Sequence, residues 1–224
     1  QLTKPDAWGL RYKVLILPES MAISDAEQEA IETFVRQGGT VIADAHAGLM
    51  DGRCRRGATG VLDDLFGIRR TGQAADTTAD LRCDLPGLAD AVLKVPAMEG
   101  IAAAGATVGA VTRGEAATPA LLSRKVGQGQ TWYLNLDLRP YDSERTFHSP
   151  VEQGLRRMAL SILAGAGVKP VYPVELDSRH APHLETVRYQ AGDLVYLGLL
   201  PQGGDPEELA TVRLGRKWHI YDAR

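Results

Sequence analysis

Hydrophobic and polar positions separate most clearly over the first fifty residues. Tyr12-Lys-Val-Leu-Ile-Leu-Pro18 is a short, nearly continuous apolar run closed by proline, the pattern of a strand covered on both faces. Ser24-Asp-Ala-Glu27 then forms a capping box, in which the Ser24 hydroxyl accepts an orphan backbone N–H and Glu27 reaches back. Behind it Ile23, Ala26, Ala30, Ile31, Phe34 and Val35 fall near helical spacing. Gly38-Gly39 stops the helix, because glycine enters a left-handed cap at little cost. Thr40-Val-Ile-Ala-Asp-Ala45 is the next strand, so the stretch reads as a βαβ unit with parallel strands.

The signal then weakens. A polar loop runs from Gly48 to Ala58, and the pattern predicts a short helix from Val61 to Phe66, capped by Thr59 and ended by Gly67. Between Ile68 and Ala117, the runs Ala79–Leu85, Ala91–Val95 and Ala106–Thr112 are strand candidates without good alternation. Ala120–Val126 and Gln130–Leu136, joined across Gly-Gln-Gly, predict a hairpin. A helix from Pro150 to Leu163 presents Val151, Leu155, Met158, Ala159 and Ile162 on one face and stops at Gly165 and Gly167. After Lys169-Pro170, four strand-like runs follow with no helical period between them: Val171–Leu176, Leu184–Gln190, Leu194–Leu200 and Leu209–Leu214. The expected organisation is an α/β domain over residues 1–168 and a small antiparallel β domain over 171–224, read as cut short at its end.

Composition adds exclusions. The chain has 224 residues, 44% hydrophobic and 24% charged, which argues against disorder. A net charge of −3 gives no field for capturing nucleic acid or an anionic membrane, so neither is an expected partner. The longest apolar stretch, Ile101 to Val111, is too short to span a bilayer. Cys54 and Cys83 define neither a disulfide framework nor a metal site, and no cofactor is implied. The compartment stays open, with the cytoplasm as the default expectation.

Several of these segments resemble a known family. Tyr12–Pro18, Ile23-Ser-Asp-Ala-Glu27 and Phe34-Val-Arg-Gln-Gly-Gly-Thr-Val-Ile42 are similar to the trimerisation domain of glycoside hydrolase family 42 β-galactosidases. Leu65-Phe-Gly-Ile68, Val126-Gly-Gln-Gly-Gln-Thr-Trp-Tyr-Leu134 and Ala166-Gly-Val168 fit as well. Val212-Arg-Leu214 and Ile220-Tyr-Asp222 resemble the small C-terminal β domain that follows in such enzymes. The resemblance implies a class I glutamine-amidotransferase-like fold: three layers, flavodoxin-like, around a mostly parallel sheet. It also implies a homo-oligomer (a trimer), no chemistry within the domain, and a preceding catalytic barrel that carries the glycosidase carboxylates. The family domain opens with a further strand and helix. Only Gln1–Gly9 precede the first clear strand here, which reads as an excised fragment.

Amidotransferase relatives set a cysteine within Gly-x-Cys-x-Gly at a tight strand-to-helix turn, where backbone N–H donors surround the thiolate. The corresponding stretch here is Asp44-Ala-His-Ala-Gly48, a degenerate nucleophile elbow with His46 in the nucleophile slot. An imidazole there cannot form the thioester of those enzymes. Asp44 and His46 admit two readings: a remnant ligand pair at strand ends, or a loop aspartate bonding nearby backbone beside a partly exposed histidine. Cys54 lies among Arg53, Arg55 and Arg56, which lower thiol pKa values when close, but it has no glycine elbow. A second candidate is the loop containing Asp137, Arg139, Tyr141 and His148, mixed in chemistry as binding loops are. Against it, Ser149 as cap, Pro150 at the first helical position and Glu152 in the first turn explain all but His148. Arg69-Arg70 and Arg156-Arg157 read as solvated faces, and Trp132 as core or interface. No carboxylate pair for glycoside hydrolysis is legible. The expected function is a non-catalytic oligomerisation or architectural module. The alternatives are a stand-alone small-molecule hydrolase or amidotransferase-like enzyme, and a sugar-sensing domain.

Overall fold

The computed structural model describes residues 11–83, 93–112, 118–136, 138, 150–169, 174–176, 184–201, 210–214 and 219–220. The chain divides into two compact units, residues 1–145 with 149–168 and residues 146–148 with 169–224.

The first unit opens with β1 (Val14–Leu17), a two-residue β2 (Ala22–Ile23) and helix α1 (Asp25–Arg36), followed by β3 (Thr40–Ala43). The capping box forms as the sequence predicts. Glu27 N–H donates to Ser24 Oγ at 3.4 Å, while Ser24 N–H donates to Glu27 Oε2 at 2.9 Å. Those bonds from the Ser24 backbone and hydroxyl hold the Glu27 carboxyl below its ordinary pKa. At the other end Gly38 takes φ +108, and the Gly38 and Gly39 N–H groups return to the Val35 and Phe34 carbonyls. These bonds satisfy carbonyls that the helix itself leaves open. β1 and β3 then pair in parallel, Val14 with Thr40 through Leu17 with Ala43.

Next come β4 (Met50–Asp51), helix α2 (Asp63–Phe66) and the strands β5 (Ile68–Cys83), β6 (Leu93–Ala103), β7 (Thr107–Thr112), β8 (Pro119–Val126) and β9 (Gly129–Leu134). Helix α3 (Pro150–Gly165) completes the unit. α2 is shorter than expected, and its N-cap is Leu62 with no side-chain cap, not Thr59. The N–H of Val61 is instead spent on Gly48 O, at 2.7 Å.

One seven-stranded sheet runs β1-β3-β9-β8-β7-β5-β6. Only β1–β3 and β3–β9 are parallel; β9–β8, β8–β7, β7–β5 and β5–β6 are antiparallel. The expectation of a mostly parallel sheet is therefore corrected to a mixed one. Parallel neighbours need long crossovers, whereas β8 and β9 are joined by a tight turn in which Gly127 takes φ +60. β5 and β6 make a ribbon much longer than the short strands expected there, with register shifts between Arg70 and Thr77.

Alternation along the central strands feeds two cores. Val41, Ala43, Leu122 and Tyr133 pack with Ile31, Phe34 and Val35 of α1 and Leu65 and Phe66 of α2. Ile42, Leu121 and Leu134 pack with Leu155, Met158 and Ile162 of α3, joined by partly buried Trp132. Helices thus lie against both faces of the central strands, which makes the unit α/β. α3 ends in a glycine cap, with Gly167 at φ +71 and the Val168 N–H bonded to Leu163 O at 2.9 Å.

In the second unit the described residues form two antiparallel pairs. β10 (Val174–Leu176) pairs with β13 (Ala210–Val212), and β11 (Leu184–Ala191) pairs with β12 (Leu194–Pro201). The β11–β12 hairpin sets Tyr189 opposite Tyr196, and both are exposed.

Candidate functional site

β3 delivers Asp44 to the carboxyl end of the parallel strands, the position where open α/β sheets bind ligands. Asp44 is 1% exposed. Its Oδ2 accepts the Glu19 N–H at 2.7 Å and its Oδ1 accepts the His46 N–H at 3.0 Å. The carboxylate thus staples the end of β1 to the turn after β3. Glu19 sits there with φ +46, a left-handed backbone that costs a non-glycine residue about 1–3 kcal/mol. Gly48 has φ +69 without that penalty, and its N–H reaches Ser20 O at 2.9 Å.

His46 Nδ1 lies 3.4 Å from Glu19 Oε1, within ion-pair range. The alignment is not that of a hydrogen bond, and Nδ1 is buried without a hydrogen-bond partner among the described residues. The turn from Ala45 to Gly48 leads into β4, not into a helix. A nucleophile elbow needs the helix, because its first N–H groups supply the oxyanion donors.

The same turn is gripped by a side chain that the sequence reading assigned to solvent. The Arg70 side chain is 8% exposed and pairs through Nε with Asp63 Oδ1 at 3.0 Å; Asp63 is itself buried. Arg70 Nη1 donates to Ala45 O at 3.0 Å and Nη2 to Ala47 O at 3.3 Å. Its guanidinium stands 5.6 Å from the centroid of the Tyr133 ring, and Tyr133 Oη donates to Ala45 O at 3.1 Å. Asp63 Oδ2 takes the Gly60 N–H at 2.6 Å. The solvated-face expectation therefore holds for exposed Arg69 but is corrected for Arg70. The signal was present in the sequence: Ile68 starts a strand facing the core, and a period of two puts Arg70 on the same face. A cavity of about 190 Å³ opens beside it, lined by Leu49, Arg56, the 57–60 loop and Arg70. At least three Arg70 N–H groups are already engaged by protein acceptors.

Cys54 is exposed, in a tight turn with φ +58. The charge of Arg55 is directed at Asp51, with Nε at 3.0 Å and Nη2 at 2.7 Å from Asp51 Oδ2. The Arg53 and Arg55 N–H groups bond Asp51 Oδ1 at 2.9 and 3.0 Å. The Arg55 side chain first, and then its backbone N–H, pull the Asp51 pKa from 3.8 to about 2. A folded pKa below the unfolded one gives stability that is present above about pH 4 and lost as pH falls through about 2. A carbon-13 titration of the Asp51 carboxyl is expected to show a midpoint near 2. In Arg55→Ala the midpoint should climb toward 3.8; a midpoint left at 2 would contradict the assignment.

Asp137, Arg139, Tyr141 and His148, the second candidate, lie outside the described residues. No group of three His, Cys, Asp or Glu residues able to hold a metal ion occurs among the described residues. Nor is any described helix long and apolar enough to cross a membrane. At the strand ends Asp44, Asp63 and Arg70 spend their polar groups on backbone and on each other, and His46 Nδ1 is left out of that network.

A family model, the β-galactosidase trimerisation domain, matches residues 4–149. No curated protein matches. Among solved structures, the chain is similar to the cold-adapted β-galactosidase from Rahnella sp. R3, with TM-score 0.68 and 16% identity over 89% of this chain and 31% of that one. It is similar to a catalytic mutant of Gan42B, a GH42 β-galactosidase from G. stearothermophilus, with TM-score 0.65 and 20% identity over 86% and 26%. The β-galactosidase from Bacillus circulans sp. alkalophilus gives TM-score 0.61 and 21% identity over 84% and 27%. At these identities the likeness is one of fold, and the chain spans between a quarter and a third of the length of each of these three enzymes.

Proposed function

The chain belongs to the β-galactosidase trimerisation domain family, and we propose that it is a non-catalytic module through which a larger glycoside hydrolase assembles into a trimer. The family match over residues 4–149 carries this reading. In it, residues 1–168 form the module and residues 171–224 belong to a separate small β domain. The active carboxylates reside in a preceding catalytic barrel of the same polypeptide, and the parent acts on β-galactosides. The fold is an amidotransferase-like three-layer arrangement, supported by the two cores that place helices on opposite faces of the central strands. Asp44, His46 and Gly48 mark a degenerate nucleophile elbow. The loop containing Asp137, Arg139, Tyr141 and His148 remains the module's candidate binding loop.

The chemistry of the strand ends supports the absence of catalysis. Asp44 is 1% exposed and each of its oxygens accepts a backbone N–H, so it holds the turn after β3. His46 Nδ1 makes no hydrogen bond to a hydroxyl or thiol among the described residues. In assays for glutaminase, esterase and β-galactosidase turnover, the chain is expected to stay at the buffer rate. Turnover that disappears in His46→Ala or Cys54→Ala would overturn the proposal in favour of a stand-alone enzyme.

A further inference from the structure

We draw no further inference here: the strongest candidate, the Glu19–Asp44–His46 side-chain cluster at the carboxyl ends of β1 and β3, keeps its one orphan nitrogen, His46 Nδ1, sealed from solvent, and nothing in the structure shows what would bind there.

Discussion

Replacing Arg70 by methionine is expected to lower the unfolding free energy by about 3–5 kcal/mol, the usual cost of removing one partner of a buried ion pair. The loss has three sources. Asp63, 4% exposed, would be left as an uncompensated buried charge. The Ala45 and Ala47 carbonyls would lose the guanidinium donors that hold the turn after β3. Tyr133 would lose the cation over its ring. Methionine keeps most of the side-chain volume, so the effect would not come from a cavity. Urea unfolding measures it directly. The double variant Arg70→Met with Asp63→Leu should recover part of the loss, because an apolar pair leaves no stranded charge. A loss below about 1 kcal/mol in the single variant would mean that the pair is far better solvated than its burial indicates.

Gly129→Ala is the second large effect, expected to cost roughly 3 kcal/mol through overpacking. A Cβ at this position would collide with the carbonyl oxygens of Val35 and Gly39. Both are backbone atoms, one in the last turn of α1 and one in the Gly-Gly stop after it, so no rotamer change relieves the clash. The contact exists because β9 must begin directly beside the α1 terminus to pair with β3, and Gln130 N–H bonds Gly39 O at 3.2 Å. Gly109→Ala is the control: there a Cβ would meet Leu121 at an ordinary 3.6 Å, and the cost should be under about 1 kcal/mol. Equal midpoints for the two variants in urea would contradict this reading of the β9–α1 junction.

The Tyr12–Gly48 unit is legible in the sequence because its signals are local. The Ser24 and Glu27 cap and the glycine stop each need only a few neighbouring residues and form as read. The first apolar run does form β1, but at the sheet edge with Ile16 51% exposed, not covered on both faces. The sheet beyond it is not legible in the same way. β5 and β6 are stabilised by pairing with each other along a long, irregular ribbon, and such pairing imposes no periodicity that a single strand must display. The family resemblance supplied a mostly parallel expectation that the antiparallel half of the sheet does not follow.

The site divides along the same line. Asp44 and His46 were found because they follow a recognisable strand. Glu19 was missed, since nothing in a sequence marks a left-handed glutamate. Arg70 was missed because two adjacent arginines resemble a solvated face. Its burial depends on Asp63, seven residues earlier in a different element, and on carbonyls of the β3 turn. The feature that organises the strand ends is therefore a tertiary ion pair, and it serves the fold.

Sedimentation equilibrium of the chain across a wide concentration range tests the central claim most directly. An oligomerisation module should show mass-action association toward three times the mass of one chain, with no change in circular dichroism. A species that stays at the mass of a single folded chain up to the highest concentration would contradict it.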